Sequence, residues 1–560
     1  MLIRFVCSVG AALLAAGVGR AGSGCGDGWS PIPGRPGPVS SFNTDPALQG
    51  VTPGPILAMQ VFDEDGPGPV EPYLVAAGSF ISMGAAGTSR IARWNGSYWI
   101  ATITSQIADP VTALVEWDDD GPGPASPELY AFDNNGQAFR WTGVQWAAFG
   151  AMNVPLPANP ASDPRCDSSI RITAAIAFDD DNDGRDTLFV AACDKVYERT
   201  SGGAWQQIGI DFFAPIYALA VHDDGAGFGP RLHAGGAFSV GAGAVANRVA
   251  VLSHLAAPQQ WFSLPGSGVN NTVYALHSGP DFDAPGRRAL YVGGAFTNIV
   301  GQGSARLIAK WDGTLWSVVG GGLKGGDSTV RAFADYDPDG PGPEPEVLVV
   351  AGGFGQTNDG ALNIRRVALW NGAQWSALGA GISAGAIAGE ALGVTSPTVR
   401  ALAPFDSDMG GPGGTQLYAA GYFGEADGLA VNSIAPWTAP ITLAIASDPA
   451  DLKVASGETA VFAVAANADA TLTFQWLKNG QPLADAPRIS GAESPVLRIA
   501  DADADDAGQY SCTVSSTGCA AVTSAPAFLT VACAGDANLD GAVDFTDLNT
   551  VVSFFNTVCP

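Results

Sequence analysis

The chain has 560 residues, more than one ordinary hydrophobic core accommodates, so two to four domains are expected. Acidic residues outnumber basic ones 54 to 26, and a net charge of −28 would repel phosphate backbones, which excludes nucleic-acid binding. Gly (73) and Pro (39) are abundant, yet 47% of residues are hydrophobic, so the composition is that of a folded, turn-rich β protein rather than a disordered chain.

Residues 1–24 read as a secretory signal peptide. Arg4 supplies the charged start, residues 5–18 an apolar stretch too short to cross a bilayer, and Ala21, Gly22 and Ser23 a small-residue cleavage region. A lipoprotein signal ending at Cys25 is disfavoured, because Gly22 stands where such signals carry Leu. No later segment is long and apolar enough to span a membrane, so the expected location is secreted, extracellular or at the cell surface. In that oxidising setting Cys166–Cys193, Cys533–Cys559 and Cys512–Cys519 are the expected disulfides, with Cys25 left over.

A strand motif then recurs seven times: ILAMQVFD from Ile56, VTALVEWD from Val111, ITAAIAFD from Ile172, IYALAVHD from Ile216, VYALHSGP from Val273, VRAFADYD from Val330 and VRALAPFD from Val399. Within each repeat further short apolar runs follow, separated by turn residues, and a Trp-Asn/Asp-Gly turn closes a tight hairpin in several of them. The seventh repeat lacks a fourth strand after Trp437. The segment DGWSPIPG, residues 27–34, carries the same Trp-Ser pattern as QWSALG and is expected to supply it. The pieces GGAF, IAKWDG, WNG and WSALG resemble Kelch-like repeats of cell-polarity-marker type. That resemblance implies an all-β seven-bladed β-propeller over residues 25–438, with an N-terminal closing strand.

Acidic turns follow the first strand of several repeats. Asp179, Asp181 and Asp183, with Gly184 and Asp186 close by, have the DxDxDG spacing of a cation loop, since hard divalent cations take clustered oxygen ligands. The GPGP versions read as rigid solvated turns. Gly381-Ile-Ser383-Ala-Gly385 matches GxSxG but lacks the strand-to-helix setting of a nucleophile elbow. A general-base or metal role for the four histidines, His222, His233, His254 and His277, would need convergence with carboxylates; their placement on strands favours ordinary packing or exposure, and no catalytic role is assigned. The repeated Trp residues read as packing rather than carbohydrate stacking.

After Trp437 the pattern changes. GETAVFAVAA, FQWLKNGQPL and DAGQYSC resemble strands B, C and F of an I-set immunoglobulin-like domain, over 440–531. The resemblance places Trp476 in the core and makes Tyr510 a tyrosine corner. Val464 stands where the strand-B Cys would be, so the usual inter-sheet disulfide is missing. Residues 533–560 form the last expected domain. Asp536, Asn538, Asp540, Ala542, Asp544 and Asp547 occupy the ligand positions of an EF-hand loop and resemble a single dockerin repeat, which implies Ca²⁺ as the bound ion.

These features favour a secreted or cell-surface binding or scaffold protein with a calcium-stabilised C-terminal module. Its expected partner is a cell-surface protein or carbohydrate. No catalytic residues and no other cofactor are assigned. The alternatives are an extracellular propeller enzyme acting on polysaccharide and a dockerin-bearing component of a cohesin-type assembly.

Overall fold

The computed structural model describes residues 28–29, 543 and 545–548 and, with gaps, 54–532; the longer gaps are 84–89, 119–126, 152–165, 167–171, 240–247, 254–258, 339–344, 386–395, 407–414, 439–442, 468–471 and 517–520. The described chain is all-β and almost without helix, and its contacts divide it at residue 440 into two compact units.

The larger unit contains seven four-stranded antiparallel sheets. The first consists of Ile56–Phe62, Tyr73–Gly78, Ile91–Trp94 and Trp99–Ile100. The fifth consists of Val273–Pro280, Arg288–Gly294, Ile308–Trp311 and Trp316–Val318. The seventh takes Thr398–Asp406, Thr415–Tyr422 and Ile434–Thr438 and, from far away in the chain, Gly28–Trp29, which pairs with Thr438 and Trp437. Strand order follows chain order within each of the first six sheets, as short turns between successive strands require. Apolar cores join consecutive sheets, and a further one joins the first sheet to the seventh. The second strands are therefore covered on both faces: Tyr73–Gly78 and Val347–Gly352 are buried at every position. This is why they read as unbroken apolar runs rather than as alternating ones.

The seven-bladed Kelch-like propeller expected from the repeats is corrected to this plainer description: an all-β chain of small antiparallel sheets. The residues that carried the resemblance have local causes that imply no kinship. In the GG pairs the glycine that ends the second strand gives way to neighbouring backbone. A Cβ on Gly294 would sit 2.1 Å from the Thr272 carbonyl oxygen, and one on Gly352 2.2 Å from that of Thr329. The Trp pairs flanking the Asn/Asp-Gly turns pack across their own hairpins, with ring centroids 5.3 Å apart for Trp94–Trp99 and 5.0 Å for Trp370–Trp375.

The smaller unit is a sandwich. One sheet holds Leu472–Lys478, Gly508–Ser516 and Ala527–Ala532, with Leu452–Ala455 added in parallel; a second holds Ala460–Ala463, Val496–Ile499 and Ile489–Ser490. Phe462, Val464, Trp476, Leu497, Tyr510 and Cys512 meet in its core. Trp476 donates its indole N–H to the Ser494 carbonyl at 2.9 Å, and the Tyr510 hydroxyl donates to the Asp506 carbonyl at 2.7 Å, so each aromatic is buried with its polar atom satisfied. Beyond residue 532 only a single helical turn at 545–548 follows among the described residues. A lone turn is not the pair of helices that frames an EF-hand loop, and the expected EF-hand or dockerin fold is corrected accordingly.

Candidate functional site

Each first strand in the larger unit carries a β-bulge at the same place. Ile56 pairs with Gly78 and Ala58 with Ala77, which leaves Leu57 as the extra residue. The same slip isolates Thr112, Thr173, Tyr217, Tyr274, Arg331 and Arg400 in the other six sheets. A bulge bends the strand and re-aims the extra side chain. The seven re-aimed residues line one cavity of about 160 Å³. Within it the Arg331 guanidinium lies 4.3 Å above the Tyr274 ring, and the Tyr217 and Tyr274 rings are 5.0 Å apart. The Thr173 hydroxyl donates to the Ile216 carbonyl at 2.7 Å. Among the described residues, the buried Arg331 Nε has no hydrogen-bond partner. Sequence reasoning passed over this site. Its signal was the second position of the repeated motif, which reads Leu, Thr, Thr, Tyr, Tyr, Arg, Arg while its neighbours stay apolar.

A second cavity of about 660 Å³ lies mainly along the fourth and fifth sheets, lined by Phe228, Arg231, Phe262 and Trp311 among others. Arg231 is ion-paired with Asp224 there. Trp311 also touches His222 and His233, whose ring centroids are 5.7 Å apart. His233 shares its Nδ1 with the Arg231 carbonyl and His222 with the Ser278 hydroxyl, both at 2.9 Å. Burial pushes the two imidazoles down, to about 4 for His222 and about 3 for His233, so both are neutral at physiological pH.

Of the residues singled out in the sequence, Asp179, Asp181 and Asp183 are brought together, with carboxylate oxygens within 4.8 Å of one another. Their oxygens already accept backbone N–H groups of the same loop: Asp183 and Gly184 donate to Asp179 at 3.1 and 2.9 Å, and Arg185 donates to Asp183 at 2.8 Å. Asp186 stands outside that cluster. Burial, with Asp118 and Asp179 adding, raises its carboxyl above the usual range. Asp536, Asn538, Asp540, Ala542 and Asp544 lie outside the described residues, and Asp547 is buried in the single turn at 545–548. No described feature supports the expected calcium-stabilised module, and that part of the functional reading is corrected.

Cys166 and Cys193 are joined in a disulfide. Cys512 is a free thiol that burial raises to about 11, so the expected Cys512–Cys519 pair is corrected; Cys533 and Cys559 lie outside the described residues. Ser383 donates its hydroxyl to Glu425 at 2.8 Å within a two-residue strand, a structural role rather than a nucleophile's. The hairpin Trp residues are buried, which removes them as stacking platforms for sugars.

The family that matches is the immunoglobulin I-set domain, at residues 443–531. None of the curated proteins compared matches the chain. Among solved structures, the titin M3 domain is similar at 25% identity, covering 16% of this chain and 97% of its own, with a TM-score of 0.15. The N-terminal Ig1-2 module of the Drosophila receptor protein tyrosine phosphatase DLAR is similar at 32% identity over 17% of this chain and 50% of its own, with a TM-score of 0.16. Extracellular domains 3–5 of Drosophila OTK are similar at 24% identity over 16% of this chain and 35% of theirs, with a TM-score of 0.15. The matched family is thus immunoglobulin-like, and the Kelch-like and dockerin resemblances are corrected. With them go the polysaccharide-propeller and cohesin-assembly alternatives that rested on those two resemblances.

Proposed function

We propose that this chain is a binding or scaffold protein that works outside the cell or at its surface, with the I-set unit as its protein-binding module. The observation that carries this reading is the I-set match at 443–531. Immunoglobulin-like domains are typical of extracellular and surface proteins and often bind other proteins. The core supports a rigid platform, because Phe462 stacks on Tyr510 at 4.8 Å and lies 5.9 Å from Trp476. Phe528 stands 53% exposed on the strand Ala527–Ala532, an apolar handle of the kind interfaces use.

The test is a screen of the full chain against a panel of extracellular protein domains by biolayer interferometry. A saturable partner is expected, and its capture should weaken at least tenfold in Phe528→Glu or vanish in Trp476→Ala, which empties the I-set core. A partner bound equally well by both variants would assign the binding elsewhere, and a panel without any saturable partner would sink the reading.

A further inference from the structure

We propose that the cavity lined by the seven bulge residues is a binding site for a small oxyanion, held chiefly by Arg331 and Arg400. The argument begins with charge. The chain carries 54 acidic residues against 26 Lys and Arg, yet the residues lining this cavity are Leu57, Thr112, Thr173, Tyr217, Tyr274, Arg331 and Arg400. Two guanidinium-bearing side chains line it, and no carboxylate is among its described lining residues. In so acidic a protein a cavity whose charged residues among the described lining are two arginines is a departure, and it arises where seven sheets contribute one side chain each.

The local chemistry points the same way. The Arg331 guanidinium carbon lies 4.3 Å from the Tyr274 ring centroid, a contact that uses the π-face and none of the guanidinium N–H donors. The Arg331 Nε is buried and lacks a hydrogen-bond partner among the described residues, so the desolvation of that donor is uncompensated. A planar guanidinium fork matches a carboxylate or phosphate, which accept two parallel N–H bonds. Tyr274 is itself packed against Tyr217, with ring centroids 5.0 Å apart and the planes tilted by 58°, so the ring beside Arg331 has a packing partner of its own. The bulges give rigidity of a second kind. Each lining residue sits within a paired strand rather than on a loop, so the donors are positioned before any ligand enters.

Size narrows the class. A volume of about 160 Å³ corresponds to roughly five water molecules, at about 30 Å³ each. That suits a small carboxylate or inorganic phosphate held wholly within the cavity. Carboxylate and phosphate share the recognising chemistry, and the experiment separates them.

Isothermal titration of the full chain at low ionic strength would compare succinate, inorganic phosphate and neutral succinamide. Succinate or phosphate should bind, succinamide should not, and 0.5 M NaCl should weaken binding severalfold. The double variant Arg331→Gln/Arg400→Gln should bind at least tenfold more weakly, while Arg331→Lys, which keeps the charge and loses the fork, should fall between. Wild-type protein supplies a check that does not depend on a variant folding. Phenylglyoxal modification, mapped by mass spectrometry, should spare Arg331 and Arg400 when the bound anion is present. The inference is overturned if neither anion binds at millimolar concentration, if succinamide binds as well as succinate, or if binding leaves both arginines open to modification.

Discussion

His222 and His233 are neutral in the folded protein because burial disfavours their charged forms. Their folded values, about 4 and about 3, lie below the ordinary 6.5, so the unfolded chain binds more protons between those limits. Their contribution to stability is complete above pH 6.5 and is lost as the pH falls toward 4, at about 1.4 kcal/mol per unit for each group. Raised carboxyls such as Asp133 and Glu116 act in the opposite sense, so the histidine part must be read by difference. Urea midpoints between pH 7 and 5 should fall less steeply in His233→Phe than in the wild type; parallel slopes would refute the assignment. Cys512 offers a second test. As a buried thiol raised to about 11, it should resist iodoacetamide at pH 8 in the folded chain and react once urea unfolds it, as read by peptide mass. Cys512 could not be predicted as a free buried thiol from spacing alone. A nearby second Cys suggests a pair, whereas the thiol packs among Phe462, Trp476 and Val514 in the sandwich core.

At the scale of the element, the glycine that ends the second strand in the GG pairs is set by space rather than by torsion. The carbonyl of the residue just before the first strand, Thr272 or Thr329, occupies the place a side chain would need. Gly294→Ala should therefore cost about 1–3 kcal/mol, or prevent folding, whereas Gly355→Ala, whose Cβ would meet nothing closer than 3.8 Å, should be tolerated. Thermal melting of the two variants decides the matter, and equal melting temperatures would refute it. A recurring clamp belongs to the same scale. Arg366 and Arg90 sit at positive φ, 73° and 70°, just before the third strands of their sheets. Arg366 donates to the Pro397 carbonyl at 2.9 Å and Arg90 to that of Ala108 at 3.1 Å, each just ahead of the next sheet's first strand. The unfavourable backbone is held by these bonds, and the sequence offers no hint of it beyond an Arg before an apolar run. The Cys166–Cys193 bridge closes 27 residues of chain ahead of the third sheet and across its first hairpin. Chain entropy makes such a closure worth about 3.5 kcal/mol. Reductant should lower the wild-type melting temperature and leave Cys166→Ala/Cys193→Ala unchanged.

For the whole molecule, the division at residue 440 predicts separable stability. Trp476→Ala removes an aromatic that is fully buried in the smaller unit and should cost about 3–5 kcal/mol there. Calorimetry should show one transition shifted downward and the transition of the larger unit unmoved. A common shift of every transition would mean that the two units unfold together. The charge of −28 belongs to this scale too, because it keeps the chain soluble and makes the cationic cavity an exception within it.

The sequence by itself determined the local architecture: seven repeats of short strands, the turns between them, and the alternation of Ala460, Phe462 and Val464 toward a core holding Trp476 and Tyr510. These are consequences of neighbouring residues, and period-two patterning and turn chemistry record them directly. Kinship and site were not determined in that way. Trp and Gly patterns that resembled a known repeat family are explained by cross-hairpin packing and by close backbone approach, and an acidic pattern suggested a calcium module that the described fold does not support. Only the tertiary structure decided that seven bulge residues, one per repeat and 44 to 69 positions apart, share one cavity. Each bulge is local, but their convergence depends on how seven sheets pack against one another, and no window of sequence contains that information.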